Sequence, residues 1–257
     1  MQLDDAKQVK ETEKNMAAKM FGSRLSPYVE KVARAMNLKG VAFELIEPKT
    51  PGDFKKWNPQ TQKMPVLELD GQHYHDSTFI LRKLDEIVPA PALFSDDPKL
   101  AAQQRFIEDW SDESLYFYMM GMRWAPENEK DTVAQVAAAL SPFIRPIAPF
   151  LLPRLIGGQA RAQGLARLPL STLTEELARR FDELLVLLGD SPFFYGDRVS
   201  GADMAVFGQM NTMRSGPTPQ AEDLIAERPR LVELFKRVDA ATQPQAEAKK
   251  SAKLEAA

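Results

Sequence analysis

Hydrophobic and polar positions follow two different patterns along the 257-residue chain, and the change comes near residue 95. Before that point the apolar runs are short, and their spacing is typical of strands in some places and of helices in others. After it, apolar residues recur every three or four positions over long stretches, which is typical of amphipathic helices. The pattern therefore predicts a mixed α/β unit followed by an all-helical unit.

The part before residue 95 predicts the order β-α-β, a connection, and then β-β-α. Its predicted strands cover 19–22, 41–46, 66–69 and 72–75, and its predicted helices cover 27–38 and 77–88. Asp70-Gly71 stands between the last two strands, and this dipeptide is typical of a tight hairpin turn. Lys39-Gly40 is a typical helix end, and Ser77 is a candidate cap at the start of the last helix.

The part after residue 95 predicts helices almost throughout. They cover 100–124, 171–190, 200–213 and 229–242. In the second of them leucine and phenylalanine recur on one stripe, and Gly189 follows as an end signal. Ser200 and Asp203 have the S-x-x-D spacing of a capping box before an apolar run, so we assign both a structural capping role. The segment 89–98, PAPALFSDDP, has the composition of a domain linker.

Both ends of the chain are polar and poor in aromatic residues, which is typical of mobile segments. We therefore expect mobile tails over 1–16 and 243–257, a first domain over 17–92 and an all-helical domain over 98–242. The first residues contain no apolar segment like that of a signal peptide. No apolar run approaches about 18 residues, the length of a membrane-spanning helix. A cytoplasmic protein without an integral membrane segment is expected.

The amino-acid composition excludes several kinds of catalytic and metal-binding site. The chain has no cysteine and only two histidines, His73 and His75. Disulfides, thiolate zinc sites and a cysteine nucleophile are excluded, and a histidine-based zinc or Ser-His-Asp site is hard to build, so we expect no metal. A formal net charge of −3 indicates no positively charged surface that would bind nucleic-acid phosphates, so no nucleic-acid partner is expected.

Ser26 precedes Pro27 at the start of the first predicted helix, and two interpretations of the pair are open. Serine is a favoured N-cap and proline a favoured first helical residue, so capping alone explains it. The hydroxyl also lies beside the positive end of the helix dipole, where an anion is stabilised. Because the third helical position is Val29, no carboxylate competes for that place.

Two further pairs have both a structural and a functional interpretation. Met64-Pro65 introduces a strand, where proline is common at an edge, but a cis bond would direct the backbone of Met64 toward a peptide-like ligand. Asp76-Ser77 opens a helix, where it can cap the N-terminus or receive the ammonium and carboxylate groups of a ligand. Both interpretations stay open at this point for each pair.

The order of these motifs resembles the glutathione S-transferase superfamily over roughly residues 17 to 242. The best-matched stretches are SPYVEKV, NPQTQKMPVLELDG, HDSTFILRKLDE and SPFFYGDRVSGADMAVF. The resemblance implies a thioredoxin-like glutathione-binding domain followed by an all-helical domain that supplies most of the acceptor pocket. It also implies glutathione as the co-substrate, a hydrophobic electrophile as the acceptor, a homodimer and a role in detoxification.

The resemblance to serine-type members, such as the tau and zeta classes, implies a role for each matched residue. Ser26 matches the catalytic serine, whose hydroxyl stabilises the glutathione thiolate. The implied glutathione contacts are Lys49, Lys63, Met64, Pro65, Asp76 and Ser77. Among them Pro65 matches the cis-proline, and Asp76-Ser77 matches the pair that binds the γ-glutamyl end. Met64 departs from the usual valine or isoleucine, and Asp76 from the usual glutamate or glutamine.

The helical part departs from the family pattern in a long proline-rich insert over 141–168. Here the chain resembles metaxin-like and axon-connection-like relatives. Two alternatives therefore stay open: a non-catalytic protein that binds glutathione or a hydrophobic ligand, and an interaction protein that docks through the insert. The insert is expected either to close the acceptor pocket as a lid or to cover the helical domain. Tyr116, Met120 and Trp124 share one helix face and are the expected acceptor-pocket lining.

Overall fold

A computed structural model describes residues 18–244 of the chain. The predicted tails over 1–16 and 243–257 lie outside the described residues, apart from positions 243 and 244. The predicted domain limits stay predictions, but the change of architecture itself is clear. All strands among the described residues precede residue 76, and helices follow from there to Thr242.

Four short strands form one mixed sheet in the order β2-β1-β3-β4. They are β1 Ala18–Phe21, β2 Phe43–Ile46, β3 Val66–Leu69 and β4 Gln72–His75. Strand β1 is parallel to β2 and antiparallel to β3, and β3 and β4 form the predicted hairpin around Asp70 and Gly71. Strand β2 starts two residues later than predicted. The reason is that the Val41 N–H donates to the Met36 carbonyl at 2.9 Å, so Val41 still belongs to the preceding helix end.

Three helices accompany the sheet: α1 Pro27–Leu38, α2 Pro51–Trp57 and α3 Ser77–Ile87. The sequence analysis predicted α1 and α3 and missed α2. The expectation that Ser77 caps α3 is wrong. Asp76 is the N-cap, because its carboxylate accepts hydrogen bonds from the N–H groups of Thr78 at 3.0 Å and Phe79 at 3.4 Å. Ser77 is the first helical residue, and it is buried.

The predicted helix over 100–124 is interrupted by one wide turn. It consists of α4 Pro98–Trp110, a π-helical turn Ser111–Leu115 and α5 Tyr116–Arg123. In the wide turn the Tyr116 N–H donates to the Ser111 carbonyl, five residues back. The carbonyl of Asp112 is thereby free, and it accepts a hydrogen bond of 2.8 Å from the Tyr28 hydroxyl. The irregular turn thus connects the helical part to α1.

Six further helices complete the described chain. They are α6 Pro126–Ala138, α7 Ala148–Gln163, α8 Leu170–Leu188, α9 Gly201–Arg214, α10 Pro219–Ala226 and α11 Pro229–Thr242. Ser200 is the N-cap of α9, and the Asp203 carboxylate accepts from its N–H at 2.9 Å and its hydroxyl at 2.6 Å, which is the geometry of a capping box. Burial raises the pKa of Asp203 to about 6.

The central helix α9 positions the start of α1. A Cβ atom on Gly208 would lie only 2.6 Å from the Pro27 carbonyl oxygen, so the two backbones approach more closely than any side chain allows. The residue before Pro27 is Ser26, so the predicted catalytic hydroxyl is held against the core of the helical part. Within residues 18–244 no helix has both the length and the apolar character needed to cross a bilayer.

Candidate active site

The register of the sheet places the predicted site residues at one edge. Phe21 pairs with Val66, and Val66 pairs with His75, so the ends of β1 and β4 and the start of β3 lie in one row. Ile46 at the end of β2 extends that row, because it pairs with Phe21. The segments that lead into or out of this row carry the predicted site residues. They are Ser26, Lys49, Lys63, Met64, Pro65, Asp76 and Ser77.

Ser26 is the N-cap of α1, as the capping interpretation expects. Its oxygen accepts a hydrogen bond of 3.4 Å from the Val29 N–H. Within residues 18–244 the hydroxyl donates to no protein acceptor, so its own hydrogen is available to a ligand. The side chain therefore combines a helix N-terminus with a free proton donor, and capping does not exclude a chemical role.

The Met64–Pro65 bond is cis, as the functional interpretation expected. The Met64 sulfur accepts a hydrogen bond of 3.1 Å from the Ser23 N–H, so this segment is fixed to the loop that leads to Ser26. On the other side, Asp76 has a φ of 71°, which an aspartate adopts at a cost of about 1–3 kcal/mol. Backbone strain of this kind is concentrated at ligand-binding positions.

Two exposed lysines provide positive charge at the same edge. Lys49 follows β2, and Lys63 precedes the cis bond. The Lys63 ammonium lies 3.4 Å from the side-chain oxygen of Gln159, which belongs to α7 in the insert. The insert therefore reaches the rim of the candidate site.

A buried ionic cluster lies behind Ser77, and the sequence analysis missed it. The Lys31 ammonium is fully buried, donates to Glu108 at 2.6 Å and is paired with Asp112. The Ser77 hydroxyl donates to Asp112 at 3.4 Å. Thr78, the next residue, donates to Glu108 at 2.7 Å. The cluster therefore connects α1, the start of α3 and the irregular turn after α4.

The pKa values in and around this cluster are shifted by burial and by the interactions among its charges. Burial alone would lower the pKa of Lys31, but the attraction of Asp112 and Glu108 raises it, so the ammonium is charged. Burial raises the pKa of Asp112 to about 6. The positive charge of Lys31 lowers this pKa, and the negative charge of Glu108 raises it. Burial, with smaller contributions from Tyr116 and Asp112, strongly raises the pKa of Tyr28, whose phenol is a neutral donor.

Comparison with known families gives the same assignment for both parts of the chain. Residues 20–92 match the family model described as glutathione S-transferase, N-terminal domain. Residues 177–238 match glutathione S-transferase, C-terminal domain, and the two matches together cover more than half of the chain. The chain belongs to the glutathione S-transferase superfamily. Its mixed thioredoxin-like sheet followed by helices is the fold of that superfamily.

Individual members of the superfamily are similar to this chain. Glutathione S-transferase U10 of Arabidopsis thaliana is 32% identical over 121 residues, 46% of this chain and 52% of that protein. A glutathione S-transferase of Methylobacterium radiotolerans, solved with glutathione sulfonate, is 25% identical, with a TM-score of 0.58 and coverage of 87% and 91%. Rice GST1, solved with glutathione, has 22% identity, a TM-score of 0.62 and coverage of 93% and 96%, which shows the fold. The chain spans about half the length of the curated relatives it matches.

The three residues expected to line the acceptor pocket of this superfamily member differ in burial and in what they contact. Tyr116 is half-buried, and its ring lies 5.1 Å from that of Tyr28, two residues after Ser26. Met120 and Trp124 are only 6% and 3% exposed and lie in the hydrophobic core. The insert packs on Trp124, because a Cβ atom on Gly157 of α7 would lie 3.1 Å from the Trp124 ring. Such a contact fits both the lid and the covering interpretation of the insert.

Proposed function

We propose that this protein is a glutathione transferase in which the Ser26 hydroxyl stabilises the thiolate of bound glutathione for attack on a hydrophobic electrophile. The observation that carries the proposal is the position of Ser26. Its free hydroxyl hydrogen lies at the N-terminus of α1, on the sheet edge that also carries the cis Met64–Pro65 bond and the strained Asp76. The family assignment supports glutathione as the co-substrate.

The expected chemistry needs no base from the protein. A thiol has a free pKa near 8.5, so only a few per cent is ionised at neutral pH. A hydrogen bond donated to the sulfur anion contributes roughly 1.5–3 kcal/mol, and the helix end adds roughly 0.3–1 kcal/mol. These contributions correspond to a lowering of the thiol pKa by about 1.5–3 units, which makes the thiolate predominant. The sulfur lone pair then forms the bond to the electrophile, whose leaving group departs with its electron pair.

The other groups at the edge suit the remaining parts of the tripeptide. The Met64 backbone is proposed to pair with the cysteinyl unit beside Pro65, and Lys49 and Lys63 to attract the glycyl carboxylate. The Asp76 carboxylate is proposed to bind the α-ammonium of the γ-glutamyl end. Its α-carboxylate is proposed to bind at Ser77, the first residue of α3, where the helix dipole favours an anion. The resemblance of the sequence to this superfamily also supports a homodimeric, cytoplasmic enzyme.

Titration calorimetry with glutathione, together with a conjugation assay on an aryl chloride, tests this function. Wild-type protein is expected to bind glutathione and to form the thioether. Asp76→Asn is expected to weaken glutathione binding at least about tenfold, because it removes a charged partner of the ammonium. Asparagine is as good an N-cap as aspartate, so the variant serves as its own control for folding of α3. Binding without turnover would instead identify a non-catalytic binding protein, and unchanged affinity would contradict the role of Asp76.

A second candidate function arises from the outer surface of the insert. Phe143 is 93% exposed and Phe150 is 69% exposed, and Ile147 and Leu155 lie exposed beside them. Residues 141–168 contain four arginines and no acidic residue, although the whole chain has a net charge of −3. We infer that the exposed apolar side chains, together with the net positive charge of the insert, bind the anionic headgroup region of a membrane, with the aromatic tips among the acyl chains.

Vesicle co-sedimentation of the full chain tests the membrane surface. Wild-type protein is expected to pellet with vesicles that contain phosphatidylglycerol and to stay in solution with neutral ones. Exchanging both Phe143 and Phe150 for serine is expected to weaken binding by about tenfold or more, since apolar burial is lost. Phe106→Ser is the matched control, because Phe106 is 77% exposed on α4, outside the insert. Equal binding to neutral vesicles, or self-association through the insert in sedimentation velocity, would contradict the inference.

A further inference from the structure

A small polar cavity of about 40 Å³ lies beside the first turn of α1. Its walls carry two arginines, one carboxylate and several uncharged polar groups. They include Arg24, Leu25, Glu30, Arg123, Asn211 and Ser215. A water needs at least about 10–15 Å³ of such volume, so the cavity holds a few waters or one carboxylate group. The cavity is too small for a whole aromatic molecule, but its polar lining residues suit the polar end of such a molecule.

Arg123 is a buried cation that has no acidic partner. The residue is only 6% exposed, and its guanidinium donates to two uncharged acceptors, the Gln135 side-chain oxygen and, at 3.5 Å, the Thr212 carbonyl. No carboxylate of residues 18–244 forms an ion pair with it. The nearest candidate on the cavity wall, Glu30, is bound to Arg34 at 2.8 Å. Burial lowers the pKa of Arg123 to about 10, which still leaves it charged at neutral pH.

A buried and unpaired guanidinium is unfavourable unless an anion reaches it. Taking a cation out of water costs several kcal/mol, and an opposite charge with good hydrogen-bond geometry is the usual compensation. The planar guanidinium matches a carboxylate through two parallel hydrogen bonds. The side-chain amide of Asn211, on the same wall, can donate to a remaining oxygen lone pair, whereas the Ser215 hydroxyl already donates to the Asn211 backbone carbonyl at 2.7 Å. The cavity thus has the charge and the donors of a carboxylate site.

The cavity lies next to the segment that carries the proposed catalytic Ser26. Leu25 of its wall directly precedes Ser26 in the chain. Arg123 is seven residues after Tyr116 on α5, two helical turns along the same face. The Tyr116 ring packs against Tyr28 beside the start of α1. An acceptor that placed its reactive carbon at Ser26 and extended along α5 would bring its far end toward Arg123.

We propose that Arg123 is a specificity-determining residue that binds a carboxylate carried by the electrophile, so that the preferred acceptors are aromatic or other hydrophobic acids. This inference rests on the proposed transferase function and narrows its acceptor class. Arg24 lies at the cavity mouth with a 74% exposed side chain, and it adds a second positive charge on the way in. Arg24 is itself 3.6 Å from Glu47, so its charge is partly compensated, whereas that of Arg123 is not.

A matched pair of acceptors tests the proposal on the full chain. 4-Chloro-3-nitrobenzoate and 4-chloro-3-nitrobenzamide carry the same leaving group, and they differ in the charge of the group opposite it. For each protein the ratio of kcat/KM for the acid to kcat/KM for the amide is measured. Arg123→Gln is expected to lower this ratio at least about tenfold, because only the acid loses a charged partner. Arg123→Lys, which keeps the charge, is expected to retain part of the preference.

Arg228→Gln is the matched control, since Arg228 is also largely buried, hydrogen-bonds the Leu224 carbonyl and lies outside the cavity. An unchanged ratio in Arg123→Gln would overturn the proposal and leave Arg123 the structural role of binding the Thr212 carbonyl near the end of α9. Calorimetry of wild-type protein with 3-nitrobenzoate and 3-nitrobenzamide provides a test that needs neither turnover nor a folded variant. Equal affinity for the two would overturn the carboxylate site, whereas absent turnover of both acceptors would overturn the transferase function alone.

Discussion

Lys31→Met is expected to destabilise the protein by about 3–5 kcal/mol at neutral pH, the usual cost of removing one partner from a buried ion pair. Such a loss is a large part of the about 5–15 kcal/mol by which folded domains are stable. Methionine has a similar length and fills the space of the aliphatic stem, so the effect reports the lost charge rather than a cavity. Urea unfolding followed by circular dichroism measures it.

The physical reason is that Lys31 neutralises two carboxylates that are almost entirely buried. Its ammonium is fully buried, and Glu108 and Asp112 on the opposite side are also buried. Without the cation, two negative charges face each other in an apolar interface between α1 and the helical part. The alternatives are to take up a proton or to open the interface, and both cost stability at neutral pH.

The destabilisation should therefore depend on pH in a definite direction. Burial already raises the pKa of Asp112 from 3.8 to about 6 in the folded protein, and removal of Lys31 is expected to raise it further. Both folded proteins bind more protons than their unfolded states above about pH 4, so wild type loses stability as pH rises to its Asp112 pKa of about 6, and the variant continues to lose stability at higher pH. The difference between variant and wild type should accordingly be smaller at pH 5 than at pH 7.5.

A neutral version of the whole cluster is the control for packing. Combining Lys31→Met with Glu108→Gln and Asp112→Asn removes every charge, and it is expected to recover most of the lost stability. A Lys31→Met protein with the same deficit at both pH values, or with no deficit, would show that the charges of the cluster do not determine the stability of this interface.

Local sequence signals predicted the elements of the fold because those signals act over a few residues. Asp70-Gly71 specifies a tight hairpin whatever surrounds it, and the stripe of Leu173, Leu177 and Phe181 requires a buried helix face. The helix α2 was missed because its seven residues are too few to show periodicity, and the first two of them are proline and glycine. The π-helical turn was missed because no local pattern marks it, and its hydrogen bond from the Tyr28 hydroxyl to the Asp112 carbonyl joins residues far apart in the chain.

The sequence predicted a residue of the candidate site only where that residue lies at a proline or at the start of a helix. Ser26, Pro65 and Asp76 are marked by prolines and helix starts, which are visible in one sequence. Lys31 and Arg123 are different, since a charged residue on a helix normally faces water or complements the helix dipole. Whether it is buried depends on which other helix covers it. The spacing of Tyr116, Met120 and Trp124 predicted a shared helix face, but it could not show that Met120 and Trp124 are buried or that α7 packs on Trp124.

Ser26→Ala is expected to lower turnover by at least tenfold while glutathione binds nearly as tightly as before. The hydroxyl contributes one hydrogen bond to the sulfur anion and little to the neutral thiol, so its removal affects the reactive state and not the affinity for the tripeptide. The pKa of bound glutathione should rise toward its free value of about 8.5. The rise of kcat/KM with pH should consequently move to higher pH, and the ultraviolet absorbance of the thiolate should move with it.

The capping role of Ser26 has to be separated from this chemical role. Alanine also removes the hydrogen bond from the Val29 N–H, at an expected cost of about 1 kcal/mol of stability. Asp97→Ala removes an equivalent cap from α4, where the Asp97 carboxylate accepts from the Leu100 N–H at 2.8 Å, and it should cost similar stability without loss of turnover. Ser26→Thr keeps both the cap and the hydroxyl and should retain most of the activity. If Ser26→Ala turned over glutathione as fast as wild type, or shifted the thiol pKa no more than Asp97→Ala does, Ser26 would be a helix cap only.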